Sequence, residues 1–163
     1  MEDVVRAKGY LTLGSRFRRL GERLQADVQV MAEQHGLSVP AALFPTLHTI
    51  QSAGSITVGE LAETLGISQP GATRNINQLE KLGLVSIRQS KEDGRVRHIS
   101  LTRKCKADVE KAQAVLWPRI ERAVAGICEP LKGNILDILT GIEQALDEKP
   151  LPQRTALKPE KLK

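Results

Sequence analysis

The chain contains 163 residues with a net charge of +5, and 40% of the residues are hydrophobic but only 2% aromatic. It has no run of about 18 apolar residues, and its first ten residues lack the layout of a signal peptide, so the sequence argues against export and membrane insertion and favours a cytoplasmic protein. The length suits one domain with helical arms, and a core of Leu, Ile, Val and Ala favours helices.

The basic charge is concentrated in one segment. Residues 68–106 contain nine lysines and arginines but only three acidic residues, a local net charge of +6, which leaves −1 for the rest of the chain. Such an excess attracts a polyanion, although a basic segment alone is more often a solvated surface. The motifs within the segment therefore have to show whether it binds a polyanion or is only a solvated surface.

An apolar stripe marks the N-terminal part of the chain. Its spacing of three or four predicts a single helix from about residue 5 to residue 34, and Gly36 supplies its stop. A helix of this length in a small protein favours a subunit interface over an ordinary core position. The stripe consists of Leu13, Phe17, Leu20, Leu24, Val28 and Met31.

Start and stop signals for short helices follow. A helix is expected over residues 41–53, with Pro45 tolerated in its first turn. Thr57 and Glu60 have the spacing at which each side chain bonds the other's backbone amide at a helix start, and Gly66 ends that helix.

A second short helix comes directly afterwards. Ser68 is its expected cap, Pro70 fits its first turn, and Gly83 ends it. Two short helices joined by a tight turn predict a helix-turn-helix. The expected buried face of the second helix consists of Ala72, Ile76, Leu79 and Leu82.

The opposite face of this second helix carries Gln69, Thr73, Arg74 and Asn77. Arg matches the acceptors of guanine, and Asn or Gln matches the edge of adenine, so these side chains suit contacts to base edges. The alternative is that they are merely solvated helix residues.

A hairpin is expected next. Residues 84–87 begin a strand, the basic stretch at 91–95 turns, and residues 96–101 return with alternating apolar side chains. Behind a helix-turn-helix, such a hairpin is a wing whose tip can reach the DNA backbone or minor groove. Arg95 suits a narrow, negative minor groove, and Asp93 is expected to orient it.

These features together resemble the MarR family of bacterial transcription regulators. The similar passage is ELAETLGISQPGATRNINQLEKLGLVSIRQSKEDGRVRHISLT, from residue 60 to residue 102. It contains the helix-turn-helix, the Leu-Glu-Lys-Leu-Gly-Leu-Val entry to the wing, the Asp93-Gly94-Arg95 tip and the Leu101-Thr102 entry to the next helix. The resemblance implies a homodimer that binds a near-palindromic site on double-stranded DNA, often as a repressor released by a small ligand or by oxidation.

One position departs from that family. Its members commonly have Gly three residues after the Thr that matches Thr102, whereas this chain has Cys105. We expect a cysteine that is simply tolerated at this position; the alternative is a redox sensor, whose thiol pKa would be lowered by three basic neighbours at an expected helix start. Cys128 is expected to pack, and both cysteines are expected to be reduced.

The C-terminal part predicts two amphipathic helices separated at Pro130, with a kink at Trp117-Pro118. The last apolar stripe runs from Leu131 to Leu146. Residues 149–163 contain three prolines and five basic residues, which favours an extended, mobile tail or a linker into a further domain.

Catalysis and metal binding find little support. His35, His48 and His98 are scattered, and neither a nucleophile motif nor a phosphate-binding glycine loop is present. We therefore expect no enzyme activity, no cofactor and no metal. The competing interpretation of the winged core is a module that contacts protein or RNA without recognising a duplex sequence.

The predicted fold is mainly α, with a winged helix-turn-helix and a two-stranded wing flanked by long dimerisation helices. The predicted parts are an N-terminal dimerisation helix at 1–36, the winged domain at 37–102, C-terminal dimerisation helices at 103–148 and the tail. Predicted partners are double-stranded DNA and a second copy. Whether a small-molecule effector exists is left open, and its expected place is an apolar crevice where the winged core meets the dimer helices. The predicted DNA-contacting residues are Ser68, Gln69, Pro70, Thr73, Arg74, Asn77, Arg88, Lys91, Asp93, Arg95 and Arg97.

Overall fold

The computed structural model describes residues 2–37, 39–90 and 96–154. These residues form a series of helices and one two-stranded antiparallel sheet, which confirms the predicted mainly α fold with a wing. Two compact units are present, Met1–Pro118 and Arg119–Lys163. Among the described residues, no helix is both long and apolar enough to span a bilayer.

The N-terminal segment does not form the single helix predicted from residue 5 to residue 34. It consists of a short helix α1 (Val4–Ala7), a 3₁₀ turn (Gly9–Thr12) and a long helix α2 (Leu13–Gln34). The break follows from Gly9, whose φ of 56° lies in the left-handed region that L side chains rarely adopt. The predicted stop of α2 is confirmed, because the Gly36 amide donates to the Glu33 carbonyl at 2.9 Å.

The helix-turn-helix has the predicted caps. After a 3₁₀ turn (Ala41–Leu43) the helices are α3 (Phe44–Ala53), α4 (Val58–Leu65) and α5 (Gln69–Lys81). The Thr57 amide donates to the Glu60 carboxylate at 2.8 Å, and the Glu60 amide donates to Thr57 Oγ1 at 3.3 Å. Gly66 then ends α4 with a φ of 62°. These local features fix where α4 begins and ends.

The wing is a hairpin of β1 (Val85–Gln89) and β2 (Arg97–Leu101). Val85 lies opposite Leu101, and Gln89 lies opposite Arg97. A further pairing joins the wing to the start of the helix-turn-helix: the Ile99 amide donates to the Ile56 carbonyl at 2.8 Å, and the reverse bond measures 3.0 Å. The wing is therefore tied to Ile56, which lies two residues before the start of α4.

One apolar core holds these elements together. Its fully buried members include Leu47 and Ile50 of α3, Leu61 of α4, Leu79 of α5 and Ile99 of β2. Burying a side chain of this size contributes roughly 1.5–3 kcal/mol. The position of α5 is thus fixed by α3, α4 and the wing together.

Beyond the wing the chain is helical through α6 (Arg103–Lys111), a π-helical segment (Ala112–Leu116) and α7 (Trp117–Cys128). The π-helical segment ends directly before the predicted kink at Trp117-Pro118. Pro118 has no amide hydrogen to donate to the preceding turn, and a π turn is one way in which a helix accommodates that loss.

The second unit contains α8 (Ile135–Glu148) and a short helix α9 (Leu151–Arg154). Leu131, the first residue of the predicted last stripe, lies before α8. Residues 151–154 are helical and not extended as predicted; Arg154 donates to the carbonyls of Lys149, at 2.6 Å, and Ala145. Residues 155–163 lie outside the described residues.

Candidate DNA-binding surface

The helix α5 is held by its first turn and by its buried face. Ser68 Oγ accepts a hydrogen bond from the Gly71 amide at 3.3 Å, and Pro70 lies in the first turn, as predicted. The apolar side chains expected to face inward are buried at Ala72, Ile76 and Leu79.

The fourth residue assigned to that buried face is different. Leu82 is 49% exposed, so its predicted burial is wrong. It is the C-cap residue of α5, and the chain turns immediately afterwards at Gly83, whose φ is 68°. The helix ends at Lys81, one residue before Leu82, so the helical spacing no longer predicts which way Leu82 points.

The outward face of α5 is available to a partner. Gln69, Thr73, Arg74 and Asn77 are all exposed. The Thr73 hydroxyl donates to the Gln69 carbonyl at 2.9 Å, whereas Arg74 and Asn77 make no hydrogen bond or ion pair with any other side chain in the described ranges. Their donors and acceptors are therefore free to meet base edges.

Gln69 also contacts the first helix of the motif. A Cβ atom placed on Gly59 would lie 3.5 Å from Gln69 Nε2, so the Gln69 side chain lies against the first turn of α4. The hydrogen bonds from Thr57 in the same turn lower the pKa of Glu60, which keeps its carboxylate ionised at the positive end of the α4 dipole.

Asn75 positions α5, a role that was not predicted from the sequence. Its side-chain amide donates to Thr46 Oγ1 of α3 at 3.1 Å. Thr46 is only 1% exposed, so this bond satisfies a hydroxyl that water cannot reach. Position 75 directly precedes buried Ile76 and lies three residues after buried Ala72. That spacing was the available signal that Asn75 lies at the inward edge of the helix.

The wing separates two arginines that the sequence analysis grouped together. Arg88 pairs with His98, and Arg97 pairs with Gln89. Because successive side chains of a strand point to opposite faces, Arg97 shares the face of core residue Ile99, and Arg88 lies on the other face.

Arg97 is close to the start of α4. Together with Val96 it lines a shallow groove of about 310 Å³ whose opposite wall is formed by residues 57–59. Since Gln69 lies against the same turn of α4, the structure brings Arg97 together with the helix-turn-helix. Arg88 does not line this groove. The wing-tip residues Lys91, Asp93 and Arg95 lie outside the described residues.

The junction between wing and α6 is built around Thr102. Its hydroxyl donates to the Gly83 carbonyl at 3.1 Å and accepts a bond from the Cys105 amide at 3.3 Å, so Thr102 both caps α6 and ties it to the end of α5. The Cys105 side chain is fully buried. Burial, with a smaller contribution from Asp108, raises the pKa of the Cys105 thiol to about 11. The lowered pKa considered for a redox sensor is therefore wrong.

An apolar crevice lies between α3 and α6. Phe44 and Leu47 form one wall, and Val109, Ala112 and Trp117 form the other. Its volume is about 10 Å³, which is room for one water molecule. The indole nitrogen Nε1 of Trp117 is buried and has no hydrogen-bond partner among the residues that the structure describes.

Within the parts of the chain that the structure describes, no group of three or more His, Cys, Asp and Glu side chains has an arrangement suited to a metal ion. His48 instead contacts the edge of the Trp117 ring, with the ring centroids 5.1 Å apart.

Comparison with known proteins identifies the winged core. The model of the MarR family matches residues 35–96, from the end of α2 through the helix-turn-helix and β1. This part of the chain is therefore similar to the MarR family. The resemblance drawn from the helix caps, the passage into the wing and the wing tip is thereby confirmed.

Solved structures extend the MarR-type fold beyond the matched residues. A cysteine-to-serine variant of MarR from E. coli, complexed with operator DNA, is 20% identical, with a TM-score of 0.64 over 90% of this chain and 98% of that one. The transcriptional repressor CouR, bound to a 23-mer DNA duplex, is 25% identical, with a TM-score of 0.62 over 85% and 96%. A MepR-like protein complexed with pseudoligands is 22% identical, with a TM-score of 0.63 over 85% and 93%.

Proposed function

We propose that this protein is a bacterial, cytoplasmic transcription regulator without enzymatic activity, which binds double-stranded DNA through α5. The observation that carries the proposal is the outward face of α5, where Arg74 and Asn77 are exposed and not engaged by other described side chains. An arginine bonds guanine O6 and N7, and an asparagine bonds adenine N6 and N7. The DNA complexes of MarR and CouR support nucleic acid as the partner.

The first turn of α5 is proposed to position the helix on the backbone. Ser68, Gln69 and Pro70 lie where the helix N-terminus favours a phosphate group. Thr73 follows one turn later and adds a polar contact. Contacts of this kind fix register, whereas those of Arg74 and Asn77 distinguish one sequence from another.

The wing is proposed to contact DNA beside the groove occupied by α5. Arg97 supports this role because it lies next to the start of α4, where Gln69 also lies. We extend the role to Lys91 and to Arg95, which is proposed to enter the minor groove with Asp93 orienting it. Arg88, on the other face of the hairpin, is assigned a phosphate contact at most.

A homodimer is proposed because apolar side chains are exposed along two helices. In the first unit Phe17 and Leu24 of α2 are 39% and 41% exposed, and in the second unit Leu136 and Ile138 of α8 are 67% and 48% exposed. Proteins rarely leave such stripes in water, and a twofold dimer is the commonest way to cover them. Two copies of α5 then bind a near-palindromic operator with half-sites about one helical turn apart.

Repression with release by a small ligand is proposed through the crevice between α3 and α6. At about 10 Å³ the crevice is closed, so a ligand has to separate its walls. The Thr46–Asn75 bond joins α3 to α5, which gives such a separation a direct route to the recognition helix.

The test is an unbiased selection of bound fragments from random duplex DNA, in the presence of excess nonspecific competitor. We expect enrichment of one imperfect palindrome. The Arg74→Ala protein should lose the preference at one base pair of each half-site, whereas Arg18→Ala, which removes an arginine of α2 already paired with Glu22, should select the same palindrome as the wild type. Binding that disappears with competitor, or a preference for RNA, would favour the interaction-module alternative.

A further inference from the structure

A cavity lined by arginines lies at the N-terminal arm, on elements that the proposed DNA contacts do not use. Its volume is about 390 Å³, and its lining residues come from α1, its cap and α2. Such a volume is typical of small-molecule sites. The lining residues are Asp3, Arg6, Arg16, Arg19, Leu20 and Arg23.

The break at Gly9 creates this cavity, because α1 folds back beside α2 instead of extending it. The Thr12 hydroxyl donates to the Val5 carbonyl at 2.7 Å and holds the turn. The Arg19 guanidinium donates to both carboxylate oxygens of Asp3, at 3.0 and 2.8 Å, and ties the start of α1 to α2. The folded-back arm is therefore a built structure with its own polar contacts.

The charges of the cavity are unbalanced. Asp3 is the single acidic residue in its lining, and its pKa is lowered by the hydrogen bond from Arg19, so that carboxylate is ionised and already engaged. Arg6, Arg16 and Arg23 form no ion pair with another residue in the described part of the chain. Three unpaired guanidinium groups thus share one concave surface.

Arg16, Arg19 and Arg23 follow one another at helical steps of three and four, which places their side chains on one face of α2. Like charges at this spacing repel each other in the absence of a counter-ion. An anion with several oxygen atoms would remove that repulsion and accept paired hydrogen bonds from planar guanidinium groups, which suit phosphate geometry better than lysine does.

We propose that this cavity is a binding site for a small, multiply charged phosphate compound. Concave shape favours a small molecule over duplex DNA, and the half-buried side chain of Arg16 forms part of the wall. The site is independent of α5, so the regulator function proposed above can fail without affecting it.

The experiment measures binding of pyrophosphate to the full chain by isothermal titration calorimetry, without DNA and at matched ionic strength in sodium chloride. We expect saturable binding to the wild type. The Arg16→Gln/Arg23→Gln protein should bind at least roughly tenfold more weakly, because each substitution removes a charge-assisted contact. Arg18→Gln is the matched control on the same helix, since Arg18 is paired with Glu22 and does not line the cavity.

Circular dichroism checks the fold of each variant, and the single variants Arg16→Gln and Arg23→Gln replace the double one if it unfolds. The proposal is overturned if pyrophosphate gives no more binding heat with the wild type than sodium chloride does at the same ionic strength. It is equally overturned if the double variant binds like the wild type, or if Arg18→Gln loses as much affinity. Loss of self-association in the double variant, without pyrophosphate binding to the wild type, would identify the arginines as part of a subunit interface.

Discussion

The side-chain amide of Asn75 donates a hydrogen bond of 3.1 Å to the hydroxyl of Thr46, 29 residues earlier in the chain. This bond joins α5 to α3 through two polar groups at a largely apolar boundary. Two asparagines of one helix therefore differ in structure, since Asn75 holds α5 in place and Asn77 is exposed.

We expect Asn75→Ala to lower the free energy of unfolding by about 1–3 kcal/mol, because Thr46 is left buried without its partner. Asn77→Ala is the matched control and should change stability by less than about 0.5 kcal/mol, while weakening operator binding. Denaturant unfolding measures both. A double-mutant cycle with Thr46→Val checks the pairing, and strictly additive effects would contradict it.

The sequence was sufficient wherever structure depends on near neighbours. The capping box of Thr57 and Glu60, the cap at Ser68 and the stop at Gly66 each involve residues within three or four positions, so their spacing predicts them directly. The helix-turn-helix, the bounds of α5 along the chain and its exposed face follow from these signals and from the helical spacing of its apolar residues.

Contacts between distant residues were not predictable in this way. The apolar stripe of α2 gave no indication that Gly9 would break the arm, because the Asp3–Arg19 contact that holds α1 back spans 16 residues. The basic neighbours of Cys105 favour a reactive thiol, but burial dominates its pKa. Which face of the hairpin Arg88 and Arg97 occupy depends on the pairing register of the two strands. A count of the charges in this segment does not reveal that register.

Arg74→Ala should relax discrimination at one base pair of the operator by about 1–3 kcal/mol, if the guanidinium makes a paired contact to a guanine. Affinities for the operator and for each single-base variant measure the effect. Equal weakening on every sequence would assign Arg74 to phosphate instead of a base.

Leu24→Glu should shift the protein from a dimer towards a monomer, because it places a charge in the exposed apolar stripe of α2. Val30→Glu is the control, since Val30 is also exposed on α2 but lies off that stripe. Sedimentation velocity should give twice the mass of one chain for the wild type and for Val30→Glu. A wild-type monomer at micromolar concentration would contradict the proposed assembly.

Cys105 should be unreactive towards a thiol-modifying reagent at neutral pH, because its raised pKa of about 11 keeps it protonated and the side chain is buried. The Cys128→Ser protein leaves it as the single thiol.

The folded state holds the proton of Cys105 more tightly than the unfolded chain, whose thiol has a pKa of about 8.5. The free energy of unfolding should therefore fall as pH rises from about 8.5 towards 11. Fast native-state labelling, or stability that rises across this window, would contradict the assignment.

The two arginines of the wing provide a test in which the substitution is identical and only the face of the hairpin differs. Arg97→Ala should weaken operator binding several-fold and lower the salt dependence by roughly one unit in a log–log plot, because Arg97 lies beside the start of α4 and its loss removes one phosphate contact. Arg88→Ala should have a clearly smaller effect, since its side chain lies on the opposite face. Thermal unfolding should be nearly unchanged in both proteins because both residues are exposed. Operator affinities over a salt series measure the contrast. If Arg88→Ala proves the more damaging change, DNA approaches the other face of the wing, and the placement of α4 and Arg97 on one DNA-binding surface is wrong.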